Sequence, residues 1–107
     1  MPPSSRFIWM NGKMLRYEDA TVHFLTPGLH YGIGVFEGIR CYATEAGPAI
    51  FRLQDHMRRL LQSAQVLGFR ELPFTLETLC EAAKEVVAAN GFHECYIRPL
   101  IYLAEGG

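Results

Sequence analysis

The chain has 107 residues, half of them apolar and 20% charged, with a formal net charge of -1. That length fits one domain with a modest core, burying about 60–70% of its unfolded surface, and excludes two. The charge balance leaves no basic footprint for nucleic acid or for an anionic membrane, so the expected partner is a small molecule or another protein.

Two short apolar runs, Phe7-Ile8-Trp9-Met10 and Lys13-Met14-Leu15, flank Asn11-Gly12, a dipeptide that favours positive φ in a tight turn, and together they predict a β-hairpin. Residues 21–25 alternate β-branched and aromatic side chains in a strand-like pattern until Thr26-Pro27-Gly28 breaks it. A short helical turn is expected within 29–35. Residues 38–42 then read as a strand, 43–47 as a turn and 48–53 as the returning antiparallel strand. From Gln54 the period changes. Met57, Leu60, Leu61, Ala64 and Leu67 fall on one face of an amphipathic helix over 54–67, and Gly68 is placed to end it. Thr75 caps a second helix whose Leu76, Leu79, Cys80, Ala83, Val86 and Val87 repeat that spacing until Asn90-Gly91 stops it. The last strand covers 95–103 and is interrupted by Pro99, which cannot donate to a ladder and so marks an edge, a bulge or a strand end. The expected class is α+β: a small antiparallel-dominated sheet with two amphipathic helices. Leu103-Ala104-Glu105-Gly106-Gly107 supplies no closing element after this strand, so the chain reads as the first part of a longer protein.

Cys41, Cys80 and Cys95 are odd in number, widely spaced and without a C-x-x-C pair, which argues against a disulfide framework or a zinc site and suits a reducing cytoplasm. His23, His30, His56 and His93 show no ligand spacing with one another or with the cysteines, so no metal is expected. The N-terminus lacks a basic start followed by a long apolar core, and no run approaches the ~18 apolar residues needed to cross a bilayer. The protein is expected in the cytoplasm.

The densest chemistry lies in His30-Tyr31-Gly32-Ile33-Gly34-Val35-Phe36-Glu37-Gly38-Ile39-Arg40-Cys41-Tyr42. Glycines let backbone approach a bound group closely, aromatics can wall an apolar pocket, and Arg40 offers a rigid fork of donors. The same glycines also permit nothing more than tight packing, and each aromatic fits a core as readily as a pocket. The run is not a dinucleotide fingerprint, since Glu37 takes the place of the third glycine and the segment leads into a strand rather than a long helix. Arg58 and Arg59, on helical statistics, are a solvated face. Tyr96 and Arg98 alternate with Cys95 and Ile97, so a phenol and a guanidinium share one strand face. That face could receive a carboxylate or simply meet solvent.

His-Tyr-Gly-x-x-Val-Phe-Glu-Gly-Ile-Arg resembles the signature near the start of the branched-chain aminotransferases, pyridoxal-phosphate enzymes of fold type IV. The resemblance continues through Pro48-Ala49-Ile50-Phe51-Arg52-Leu53, Asp55-His56-Met57-Arg58-Arg59-Leu60 and Cys95-Tyr96-Ile97-Arg98-Pro99-Leu100, and so spans nearly the whole chain from Ile8 onward. It implies that Arg59, in the pattern His-x-x-Arg-Leu, holds the phosphate of pyridoxal 5'-phosphate, with Arg58 left at the surface and His56 structural. It further implies that Tyr96 meets the substrate α-carboxylate and Arg98 the distal carboxylate of glutamate. Phe36 would line the apolar side-chain pocket, with Gly38 opening space and Arg40 on the strand beside it. Tyr31 looks like the residue that crosses a dimer interface to cover the partner's site.

Transamination also needs a Schiff-base lysine. Only Lys13, in the hairpin, and Lys84, on the polar side of the second helix, are present, and neither matches the family's lysine, which lies in a second domain. The expectation is therefore that residues 1–107 form the N-terminal small domain of a homodimeric or larger enzyme that exchanges amino groups between leucine, isoleucine or valine and 2-oxoglutarate. Alone the chain is expected to be inactive, with no catalytic residue of its own. Other fold type IV enzymes, the D-amino-acid aminotransferases and aminodeoxychorismate lyases, are the nearer alternatives. The remoter one is a free-standing, non-catalytic α+β binding module.

Overall fold

The computed structural model describes residues 5–104, so the expectation attached to Glu105-Gly106-Gly107 lies outside the described residues. The hairpin forms as predicted: β1 (Phe7–Met10) pairs antiparallel with β2 (Lys13–Arg16), and Asn11 and Gly12 take up positive φ between them. The strand-like alternation over 21–25 forms no strand. The segment is a loop in which the Thr26 hydroxyl donates to the His23 carbonyl at 2.6 Å and the Leu25 N–H donates to His23 Nδ1 at 3.0 Å. Its alternation finds no ladder to join, and Phe24 and Leu25 stay exposed. The helical turn lies two residues nearer Pro27 than expected: α1 spans Pro27–Tyr31, with proline at the helix start where its missing N–H costs nothing. The chain is already extended by β3 (Gly34–Phe36).

Strand β4 (Ile39–Thr44) and strand β5 (Gly47–Ile50) form the expected antiparallel pair, but β5 ends at Ile50 rather than Leu53. Arg52 adopts a left-handed conformation there and turns the chain into α2 (Leu53–Leu67), which ends at Gly68 with φ of 114°. Thr75 caps α3 (Leu76–Asn90) by accepting the Thr78 N–H at 3.2 Å, and Gly91 closes it in the left-handed region. The predicted last strand is two strands, β6 (Cys95–Ile97) and β7 (Leu100–Tyr102), in different sheets. Strand β6 pairs with β4 and β7 with β3, both antiparallel, so Pro99 marks the point where the chain changes partners. The class is α+β as expected, although the sheet is three small antiparallel ladders rather than one, and a short third helix joins the two amphipathic ones.

The two long helices pack on each other and on the inner faces of β4 and β6. Ile39, Leu53, Met57, Leu60, Leu79, Cys80 and Ala83 make the core, flanked by Trp9, Val35, Ile97 and Ile101. Ile39 and Leu60 are 0% and 1% exposed. The hairpin is fastened to this core from outside: Trp9 meets Phe74 edge to face at 5.1 Å, and the Asn90 side chain accepts the N–H groups of Arg6 and Phe7 while donating to the Phe7 carbonyl. Among the described residues no helix is long and apolar enough to cross a membrane.

Candidate active-site face

From the end of β3 at Phe36 to the start of β4 at Ile39, the side chains alternate in direction. Phe36 is exposed, while Glu37 turns inward and is 7% exposed. Inside, the Glu37 carboxylate meets two side chains one turn apart on α2. Arg59 Nε and Nη2 donate to Oε2 and Oε1 at 2.8 and 2.7 Å, and His56 Nδ1 lies 2.8 Å from Oε1. An ionised carboxylate only accepts, so His56 Nδ1 carries the hydrogen. The Arg59 hydrogen bonds hold the Glu37 carboxyl below its usual value against the opposing effect of burial, and His56 adds to the lowering. The Arg59 side chain is itself 65% exposed, and its Nη1 edge makes no hydrogen bond among the described residues. Arg58, its neighbour, points to the surface, 3.6 Å from the exposed Asp55 carboxylate.

On the outer side, Arg98 lies over the Phe36 ring with Cζ 4.6 Å from the centroid, and its Nη2 donates to the Tyr96 hydroxyl at 3.0 Å. A cation held flat on an aromatic face presents donors along its rim and an apolar plane beneath. Gly38 makes room for this arrangement: a Cβ there would collide with the Tyr96 hydroxyl and stand 2.9 Å from Cζ. Arg40 is exposed and directly opposite Tyr96 in the β4–β6 ladder. Phe36, Gly38, Arg40, Tyr96 and Arg98 therefore share one face, with Arg59 reached through Glu37. Tyr31 stands apart on α1, 76% exposed, with its ring tilted against His30.

Sequence reasoning missed Glu37 as a site residue, noting it only as the acid that spoils a glycine pattern. The available signal was a carboxylate within the otherwise uncharged run 31–39, an environment that forces such a group to find cations. Lys13 is exposed on β2, and Lys84 is exposed on α3 and pairs with Glu81 at 3.3 Å, so neither joins this face. Cys41 and Cys95 face each other across β4 and β6, and burial first and the Cys41 thiol second push the Cys95 thiol up to about 11. Such thiols are poor nucleophiles at neutral pH. A largely apolar cavity of about 610 Å³ runs beneath the hairpin between Trp9, Phe74 and Val86 and reaches Tyr96 and Arg98, while Phe36, Arg40 and Arg59 lie outside it.

The donor set suits an anionic group at Arg59 and a carboxylate at Arg98, and it contains no amine for covalent attachment of a cofactor. Comparison with known proteins gives the family. The chain is 45% identical over 101 residues to the branched-chain-amino-acid aminotransferase of Salmonella typhimurium, an alignment that covers 94% of this chain and 32% of the relative. The Pseudomonas aeruginosa enzyme of the same name is 43% identical over 100 residues, again with 94% and 32% coverage. The chain thus spans about a third of the length of the curated relatives it matches. The crystal structure of the Escherichia coli branched-chain amino acid aminotransferase superposes with a TM-score of 0.92 at 44% identity, covering 97% of this chain and 34% of that one. The T.th. branched-chain amino acid aminotransferase complexed with N-(5'-phosphopyridoxyl)-L-glutamate superposes with a TM-score of 0.89 at 52% identity, covering 94% and 34%. The fold is that of the N-terminal domain of these structures. The family model for amino-transferase class IV matches residues 34–107, more than half of the sequence, and the chain belongs to that family.

Proposed function

We propose that residues 1–107 are the N-terminal small domain of a cytoplasmic, homodimeric or larger branched-chain aminotransferase, which exchanges the amino group between leucine, isoleucine or valine and 2-oxoglutarate. The observation that carries this reading is the outer face itself. Transamination between these partners requires one site to accept an aliphatic side chain and a carboxylate in turn, and Arg98 lying on Phe36 offers both an apolar wall and a cationic rim. Tyr96 supplies a hydroxyl for the α-carboxylate, and Gly38, having no Cβ, lets that hydroxyl pack directly against the backbone. Arg40 adds positive charge across the ladder from Tyr96 and favours doubly anionic substrates.

Arg59 holds the phosphate of pyridoxal 5'-phosphate through the edge that Glu37 leaves unbonded. When bound, that cofactor supplies the electron sink that allows the substrate Cα–H bond to ionise. The lysine that moves this proton belongs to a second domain, and Tyr31 reaches across the dimer interface toward the partner's site. Apolar contact discriminates by only about 1–3 kcal/mol per methylene, so the Phe36 wall selects for branched aliphatic chains without excluding all neighbours in size.

The test is glutamate production by the purified full-length protein with 2-oxoglutarate and each donor in turn. Leucine, isoleucine and valine are expected to support turnover and D-alanine not. Turnover with D-alanine alone would reassign the protein to the D-amino-acid branch of the fold.

A further inference from the structure

We propose that Glu37 is a positioning residue for the phosphate-holding arginine: its buried carboxylate clamps one edge of the Arg59 guanidinium so that the opposite edge faces outward, already aimed. The inference rests on the reading of Arg59 as the phosphate holder. A guanidinium has five N–H donors in a rigid plane. Glu37 takes the Nε and one Nη2 hydrogen, which leaves three donors, including both of Nη1, on the exposed edge. The two parallel bonds fix the plane as well as the distance, which a single bond would not do.

The clamp is itself well founded. Glu37 is 7% exposed, its second partner His56 bonds the carboxylate from the same helix, and its backbone N–H donates to the Pro99 carbonyl at 3.1 Å. Arg59, by contrast, is 65% exposed along its side chain. A long side chain so open to water would sample many rotamers, and its ordering would count against phosphate binding. The ion pair moves that ordering cost from binding into folding.

Glu37 has an opposing effect, because its negative charge weakens the positive field that a phosphate meets. At an exposed edge, solvent and salt screen that repulsion, whereas the loss of a fixed bidentate geometry is not screened. Orientation therefore outweighs repulsion. The same geometry links the two ends of the site, since Glu37 is anchored to Pro99 beside Arg98 and its neighbour Gly38 packs on Tyr96.

The experiment uses the full-length protein and pyridoxamine 5'-phosphate, which makes no covalent bond to a lysine, so its dissociation constant reads the non-covalent anchors alone. Wild type, Glu37→Gln, Arg59→Ala and the double variant are compared, with the phosphorus NMR resonance of the bound ligand recorded for each. Arg59→Ala is expected to loosen binding about 100-fold and the nearly isosteric Glu37→Gln about tenfold, as for loss of charge-assisted hydrogen bonds. Glu37→Gln is also expected to shift the phosphorus resonance, and the double variant to bind no more weakly than Arg59→Ala alone, because no guanidinium is left to aim. Unchanged or tighter binding in Glu37→Gln, with binding lost in Arg59→Ala, would overturn the role of Glu37 and leave Arg59 in place. Equal loosening by Glu37→Gln in both backgrounds would show that Glu37 acts on the fold at large and overturn the proposal. Unchanged binding in Arg59→Ala would remove the phosphate from Arg59 and the proposal with it.

Discussion

Strand β4 has two faces that lead different lives. Ile39 and Cys41 are 0% and 1% exposed against the helices, whereas Arg40 and Tyr42, each one residue further on, look outward. The inner face is satisfied within the chain: Ile39 joins one core with Leu53, Met57 and Leu60 of α2 and Leu79, Cys80 and Ala83 of α3. The outer face is not. Phe36, Tyr42, Phe51, Tyr96 and Leu100 are all exposed. One strand thus has a core face and a solvent face, and the period of two keeps them apart without any extra element.

Three changes test that division, from the largest expected effect to the smallest. Leu60→Ala strikes the inner face at a side chain 1% exposed and should lower the opening free energy of the α2 amides by about 2–5 kcal/mol, measured by hydrogen exchange in the full-length protein. A loss below about 1 kcal/mol would mean that the helices do not depend on this seam. Arg98→Met strikes the outer face and should leave stability within about 0.5 kcal/mol of wild type. Its effect falls on single-turnover rates, with the glutamate half-reaction slowed about 100-fold and the leucine half-reaction nearly unchanged, because leucine has no second carboxylate. Equal losses on both amino acids would make Arg98 part of the scaffold.

Glu37 belongs to both faces, and its effect is read through pH. Its carboxyl is held below the ordinary value of 4.5, chiefly by Arg59, so in mild acid the unfolded state binds more protons than the folded one and stability rises with pH through that window. The contribution is complete above the ordinary value and is lost as pH falls through the lowered one. The thermal midpoint of wild type should therefore exceed that of Glu37→Gln by a margin that shrinks on acidification below 4.5. A constant margin would mean that the buried carboxyl is not ionised in the fold.

Legibility in the sequence follows the range of the interactions concerned. The hairpin, both long helices, the Thr75 cap and the glycine stop at Gly68 were readable because each is settled within a few residues of its own signal. The alternation of residues 21–25 misled because a strand pattern states only that a segment can pair, and here no partner comes alongside. Pro99 announced a break, but the assignment of β6 to β4 and β7 to β3 depends on residues far earlier in the chain. Glu37 was hidden for the same reason: its partners are 19 and 22 residues away, and only the fold brings them together. The gathering of Phe36, Gly38, Tyr96 and Arg98 on one face follows the motifs that suggested it, while Tyr31 lies outside that group.

The Asn90 clasp sets an order of events. Its oxygen holds the N–H groups of Arg6 and Phe7 across sequence separations of 84 and 83 residues. Chain synthesis makes the hairpin before α3, yet the hairpin cannot dock until the end of α3 has emerged, and closing so long a loop is a slow, entropically opposed step. An early-made segment is therefore among the last to be fixed, and until then the Trp9 ring that it carries lacks the core and the Phe74 edge that cover it in the fold.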